Sequence, residues 1–199
     1  MNFPRIYGVV LAGGQSRRMG TDKARLRLYG QSLLARSVAL LEASGCTTVV
    51  VSGQPGLYPE FPCIADAYPD LGPVGGMVSV LNAMIEIPEG AAVVVMPVDV
   101  PWLSASILRK LLSTAVGHGG CMVADNPLPL VLLKTAALDA RCADAEAALS
   151  HGQAWSVRRF IEPLALQTCV PDKAMAQALF NVNSPSAWQV VQTETASKI

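Results

Sequence analysis

Apolar positions in the first two-thirds of the chain fall into two alternating patterns. Tyr7–Leu11, Thr47–Ser52 (with Val49-Val50-Val51 inside it) and Ala91–Met96 are short apolar runs of strand length and β-branched character. Between them lie stretches with helical spacing. Ser32–Ser44 places Leu33, Leu34, Val38 and Leu41 on one stripe and stops at Gly45, and Ser104 opens a helix that runs through about Ala115. Gly72-Pro73-Val74-Gly75-Gly76 reads as a loop leading into a helix from Met77 to about Ile85. Strands without polar interruption are covered on both faces, and βαβ alternation brings them together in parallel. The expected fold is α/β: three α/β/α layers around a Rossmann-like, mostly parallel sheet.

Beyond residue 117 the pattern loosens. Gly117-His118-Gly119-Gly120 reads as a loop, and Cys121–Ala124 and Leu130–Leu133 as strands flanking Asp125-Asn126-Pro127. Ala136–Leu149 has helical character, and Leu164–Val170 reads as a last strand. No repeat, low-complexity tract or linker interrupts the chain, so residues 1–199 are expected to form a single domain.

Bulk properties narrow the classes. A chain of 199 residues suits one well-buried domain, and 51% hydrophobic against 15% charged residues suits a sheet covered on both sides. No apolar run approaches the length of a bilayer span, so no membrane partner is expected. Arg5 before an apolar stretch superficially looks like a secretion signal, but Gln15-Ser16-Arg17-Arg18 follows at once, and a cytoplasmic protein is expected. Cys46, Cys63, Cys121, Cys142 and Cys169 are odd in number and form no C-x-x-C pair, which indicates neither a zinc site nor a redox couple. A net charge of zero argues against a nucleic-acid surface.

The placement of charge says more than its sum. Up to Arg36 the chain carries Arg5, Arg17, Arg18, Lys23, Arg25, Arg27 and Arg36 against the single acid Asp22. From Ser37 to Leu108 it has no Lys or Arg but seven acids, among them Asp66, Asp70 and Asp99. Folded together, such segments suit a metal–polyphosphate site, cations on phosphate oxygens and carboxylates on Mg²⁺. Solvated surface charge gives the same split, so this evidence only supports the motifs.

Three motifs fall at or near expected strand ends, where α/β sheets bind ligands. The first is Leu11-Ala12-Gly13-Gly14-Gln15-Ser16-Arg17-Arg18-Met19-Gly20-Thr21-Asp22-Lys23. Its glycines allow close approach of backbone and its N–H groups are expected to attract anions. The spacing is neither G-x-G-x-x-G nor a P-loop, because Gly13 and Gly14 are adjacent and Gly20 is followed by Thr21-Asp22. The second is Met96-Pro97-Val98-Asp99-Val100-Pro101, where Asp99 reads as a turn acid, a helix-preceding cap or an Mg²⁺ ligand. The third is Phe180-Asn181-Val182-Asn183-Ser184-Pro185. If extended, it puts Asn181 and Asn183 on one face, while Asn183 or Ser184 could equally cap a helix entering at Pro185.

Together these motifs, with Ile64-Ala65-Asp66 and Gly72-Pro73-Val74-Gly75-Gly76-Met77 between them, resemble the nucleotidyltransferases and, within them, the molybdenum cofactor guanylyltransferases. The resemblance covers nearly the whole chain and is least distinctive from about Gly117 to Val170. It implies the nucleotide-diphospho-sugar transferase type of fold, with residues 1–116 on the nucleotide side and 117–199 on the acceptor, pterin side. It implies that Leu11, Ala12, Gly13 and Gly14 contact the nucleotide and that Lys23 and Arg18 meet its phosphates. Asp66 would recognise guanosine and Asp99 would bind Mg²⁺. Asn181 and Asn183 would lie near the metal or the second substrate. Ser52 stands in the nucleotide-binding set where the family often has Asn.

The implied activity is GMP transfer from GTP to molybdenum-bound molybdopterin, with Mg²⁺ as cofactor and pyrophosphate as co-product. Transient contact with molybdoenzymes or cofactor chaperones accompanies it. The alternatives are cytidylyl transfer to the same pterin, a sugar-phosphate nucleotidyltransferase, and a non-catalytic GTP- or pterin-binding carrier. Leu-Ala-Gly-Gly goes with guanine in this family and Leu-Ala-Ala-Gly with cytosine, so Gly13-Gly14 favours GTP. Gln153–Arg159, with Trp155, Arg158 and Arg159, reads either as an amphipathic surface segment or as a pterin-facing one, since Arg and Trp suit a phosphate and a flat ring.

Overall fold

The long apolar runs become adjacent strands of one seven-stranded sheet in the computed structural model, which describes residues 3–13, 22–84 and 86–196. In chain order the elements are β1 (Ile6–Leu11), β2 (Arg27–Leu28), β3 (Gln31–Ser32), α1 (Leu33–Ser44), β4 (Thr48–Gly53), β5 (Cys63–Ala65), α2 (Pro73–Ala83) and β6 (Ala92–Pro97). They continue with α3 (Ala105–Ala115), β7 (Gly120–Val123), β8 (Asn126–Leu133), α4 (Ala136–Ser150), α5 (Val157–Ile161), β9 (Gln167–Cys169), α6 (Lys173–Ala178) and α7 (Pro185–Ala196). The sheet order is β5-β4-β1-β6-β8-β7-β9; β2 and β3 form a separate hairpin. Only β8 runs against its neighbours β6 and β7, so the sheet is mostly parallel as expected.

Strand β6 shows why its run is unbroken. Ala92, Val94 and Met96 enter a core with α1 and α3, while Val93 and Val95 enter a second core with α2 and α4. Both faces are buried, so neither periodic position can be polar. Helix α1 starts where Ser32 Oγ accepts from Ala35 N at 3.1 Å, and ends at Gly45, whose φ of 109° is left-handed.

Four elements differ from the sequence expectation. Helix α2 begins at Pro73, not Met77, so Val74-Gly75-Gly76 are helical; Gly72, at φ 84° and ψ −174°, makes the turn and Pro73 sits at the first helical position. The helix closes at Ala83, and Ile85 lies outside the described residues. The β7–β8 turn is Ala124-Asp125, with Asp125 at φ 62°, so Asn126-Pro127 already belong to β8. The expected strand Leu164–Val170 shrinks to β9, because Glu162–Leu164 form a 3-10 turn and Ala165 takes a left-handed conformation. The hairpin β2–β3 was not anticipated: two-residue strands carry no periodicity, and its turn residues Tyr29 and Gly30 have φ of 54° and 78°.

The winding places the site. From β1 the chain proceeds outward to β4 and β5, then returns over the opposite face through α2 to β6 on the other side of β1. The carboxyl ends of β1 and β6 therefore flank the point where strand order reverses, and a crevice forms there.

Candidate active site

A cleft of about 460 Å³ opens at this reversal point, walled by Leu11, Ala12 and Gly13 at the end of β1 and by Pro97, Val98 and Asp99 at the end of β6. Asp22, Lys23, Asp66, Asp70, Gly72, Pro73 and Leu128 complete its described lining. Backbone bonds fix the two strand ends together: Val98 N donates to Leu11 O at 3.3 Å. The C-terminal motif joins them, since Val182 N donates to Asp99 O at 2.9 Å and the Val182 side chain is fully buried.

Three residues distant in sequence converge here. Lys23 Nζ lies 2.8 Å from Asp99 Oδ2 and 2.7 Å from Asn183 Oδ1. Asn181 and Asn183 are both exposed on either side of buried Val182, as an extended segment requires, but only Asn183 is bonded to Lys23 in the described contacts. Ser184 Oγ accepts from Ala187 N at 3.1 Å, so it caps α7 behind Pro185. The motif therefore divides between neighbouring residues: Asn183 accepts from Lys23 and Ser184 caps the helix.

The backbone donors expected of the glycine loop are partly committed. Ala12 N and Gly13 N both donate to Ser52 O, at 3.0 and 2.9 Å, so these amides hold the loop to β4 and are not directed at an anion. Ser52 itself is 1% exposed, and its Oγ stands only 2.4 Å from where a Cβ on Gly76 would be. Its side chain lies under α2 and does not line the cleft; Ser52 shapes the site through its carbonyl. Ser52, expected in the nucleotide-binding set, thus turns its side chain toward α2, whose close approach Gly76 allows. Gly14, Arg17 and Arg18 lie outside the described residues.

Asp66 is anchored to α2. Its Oδ1 accepts from Tyr68 N at 2.8 Å and from Ser79 Oγ at 3.4 Å, and Ser79 Oγ also receives Ala67 N at 2.9 Å. Its Oδ2 faces Gly13, 3.8 Å from where a Cβ would be. One carboxylate oxygen is thus structural and the other addresses the loop.

The Trp155 segment does not offer an open ring. Trp155 is 7% exposed, with the guanidinium carbons of Arg141 and Arg159 at 4.2 and 4.4 Å from its ring centroid. Arg158, in contrast, is half-exposed 3.9 Å from Asp125 beside the β7–β8 turn, at the carboxyl edge of the sheet.

Asp22, Asp70 and Leu128 line the cleft but were absent from the sequence-derived site, as were Gly72, Pro73, Pro97 and Val98. Asp22 stood beside Lys23 and could have been named, whereas Leu128 enters only because β8 runs antiparallel beside β6. The described lining sets four carboxylates (Asp22, Asp66, Asp70, Asp99) against one ammonium. Such a wall suits a polyphosphate that arrives with a divalent cation. The donors fit that ion: Asp99 and Asn183 offer oxygens 2.8 and 2.7 Å from a single positive atom, Lys23 Nζ. Among the described residues no group of three His, Cys, Asp or Glu could hold a metal unaided, so an ion here would draw phosphate and water oxygens into its shell. No helix among them is long and apolar enough to cross a membrane.

Comparison with known proteins agrees with this geometry. The MobA-like NTP transferase domain matches residues 8–169. A molybdenum cofactor guanylyltransferase from Xanthomonas euvesicatoria is 41% identical over 184 residues, 91% of each chain. A probable molybdenum cofactor guanylyltransferase from Chloroflexus aggregans is 32% identical over 93% of this chain and 92% of its own. Among solved structures, molybdopterin-guanine dinucleotide biosynthesis protein A from Archaeoglobus fulgidus superposes with a TM-score of 0.72 at 21% identity, over 97% of this chain and all of that one. A Methanothermobacter nucleotidyl transferase gives 0.74 at 17%, over 98% and 100%. The structural neighbours establish the fold, and the profile and the curated relatives establish more: the chain belongs to the MobA-like NTP transferase family.

Proposed function

We propose that this protein transfers GMP from GTP to molybdenum-bound molybdopterin, forming the guanine dinucleotide and pyrophosphate. The observation that carries the reading is the meeting of Lys23, Asp99 and Asn183 at the reversal point of the sheet. The two curated relatives, aligned over more than nine-tenths of the chain, bear the guanylyltransferase name and favour GTP over CTP.

In this reading an oxygen of the terminal pterin phosphate attacks the α-phosphorus in line, and the bond to the β-phosphate breaks. The attacking phosphate is already ionised near neutrality, so no strong general base is required. The residues contribute alignment and charge. Asp99 and Asn183 would hold Mg²⁺, which neutralises charge on the phosphates. Lys23 and Arg18 would donate to oxygens of the departing pyrophosphate. Leu11, Ala12, Gly13 and Gly14 would frame the nucleoside, and the cleft-facing oxygen of Asp66 would accept from guanine or ribose.

Residues 1–116 form the nucleotide side and 117–199 the acceptor side, with Asn181 and Arg158 near the pterin. A cytoplasmic setting, with transient contact to molybdoenzymes or cofactor chaperones, belongs to the same reading.

The test is pyrophosphate release with Mg²⁺ and molybdenum-loaded molybdopterin, comparing GTP, CTP and ATP. Release with GTP alone, with a guanine dinucleotide product, is expected. Release with CTP would move the protein to cytidylyl transfer, and no release from folded protein with any of the three would favour a carrier.

A further inference from the structure

Tyr58 belongs to none of the motifs above, yet it ties the Lys23 turn to the sheet. It lies in the loop after β4 and is 4% exposed. Its ring packs on Gly53, where an added Cβ would stand 3.4 Å from Tyr58 Cε2. Its hydroxyl donates to Asp22 Oδ2 at 2.7 Å. The other Asp22 oxygen, Oδ1, accepts from Ala24 N at 2.9 Å and so caps the 3-10 turn Lys23–Arg25. Arg25 closes the arrangement: its Nε is 3.6 Å from Asp22 Oδ2 and its Nη2 donates to Leu57 O at 3.0 Å.

Lys23 therefore stands between two residues that are both fastened to the Leu57-Tyr58 segment. Its own backbone is set by that fastening, and its ammonium reaches Asp99 and Asn183 from there. Asp22 also lines the cleft, where an undirected carboxylate would repel phosphate and compete for the Lys23 ammonium. Bonds from Tyr58 and Ala24 engage both of its oxygens.

We infer that Tyr58 is a positioning residue for polyphosphate binding: by holding Asp22 it sets the turn from which Lys23 reaches the phosphates and keeps the Asp22 carboxylate away from them. The inference rests on the nucleotide reading above. Burial, together with donation to Asp22, pushes the Tyr58 hydroxyl well above the ordinary tyrosine range, so it stays a donor across working pH.

Isothermal titration of Tyr58→Phe with Mg·GTP, and with GMP, which lacks the β- and γ-phosphates, tests this. Expected is about tenfold weaker binding of Mg·GTP, one hydrogen bond to a charged group being of that order, with GMP binding unchanged. In an Asp22→Asn background, where the carboxylate that Tyr58 restrains is gone, Tyr58→Phe should add little further loss. Unchanged Mg·GTP binding, equal loss of Mg·GTP and GMP, or fully additive effects would each overturn the positioning role. If Tyr58→Phe does not fold, Asp22→Asn alone serves: it must alter Mg·GTP binding and spare GMP. A wild-type protein that binds no Mg·GTP would overturn the nucleotide reading itself, a result distinct from a wild type that binds it and a variant that binds equally well.

Discussion

The Lys23 ammonium lies 2.8 Å from the Asp99 carboxylate across 76 residues of sequence, and the same nitrogen is 2.7 Å from Asn183 Oδ1. One positive atom thus sits between an acid and an amide oxygen that also suit a hard divalent ion. On the proposed reading Lys23 would be both a phosphate ligand and a competitor of the metal when no nucleotide is present.

The first prediction follows from that competition. Without nucleotide, Lys23→Ala should bind Mn²⁺ about tenfold more tightly than wild type, equivalent to about 1.4 kcal/mol, because a cation has been removed from the donors. Turnover should nevertheless fall by about 10²–10³, as for loss of one preorganised contact. Mn²⁺ titration by electron paramagnetic resonance reads the first effect and pyrophosphate release the second. Unchanged or weaker Mn²⁺ binding would show that Lys23 does not hold the metal's place.

Asp99→Asn should lower turnover by a similar ~10²–10³ and lose the Mn²⁺ bound in the presence of GTP. The fold should persist, since Asp99 is held to the C-terminal segment through its backbone carbonyl, which the substitution keeps. Circular dichroism and Mn²⁺ titration check both halves, and near-wild-type turnover would remove Asp99 from the mechanism.

Gly76→Ala should reverse sign with its background. In the wild-type chain the new Cβ would stand 2.4 Å from Ser52 Oγ, and overpacking of that kind costs about 1–3 kcal/mol. In Ser52→Ala the nearest atom of residue 52 is Cβ, at 3.4 Å, and the helix preference of Ala over Gly, about 1 kcal/mol, should emerge as a gain. Thermal melts of the two singles and the double provide the comparison. A Gly76→Ala penalty that persists in Ser52→Ala would place the clash elsewhere.

Thiol reactivity should be confined to one site. Burial pushes Cys46 and Cys121 up to about 11 and Cys142 up to about 12, leaving very little thiolate at pH 8. Cys169 is also buried, whereas Cys63 is partly exposed in β5 although burial raises it too. Iodoacetamide at pH 8 should modify Cys63 first, and Cys63→Ser should abolish the fast phase until denaturant is added. Rapid labelling of Cys142 in the native protein would contradict its burial on the core-facing side of α4.

Much of this was legible because it is local. The run Ala91–Met96 announces a strand with two buried faces, Ser32 and Gly45 announce the limits of α1, and Asp99 follows its strand at a proline-bounded turn. The start of α2 was misread because Gly75 and Gly76 look like loop residues. Within the helix they must be glycine, because Tyr68 O and Ser52 Oγ approach so closely that a Cβ at either position would meet an atom at 2.8 or 2.4 Å. Glycine there answers to neighbours in β4 and in the loop after β5, which a reading of the helix segment alone cannot detect.

The sequence by itself determined the strand–helix alternation, the family motifs and the residue types a polyphosphate site requires, because periodicity, capping and turn chemistry act over a few residues. Tertiary structure alone decided that Asn183 and not Asn181 meets Lys23, that Ser52 contributes a carbonyl and not a side chain, and that Tyr58 governs Asp22. Those outcomes depend on contacts of 2.7 to 3.0 Å between segments up to 160 residues apart. They are set by how the sheet winds and how closely α2 packs on it, and no single stretch of sequence carries that information.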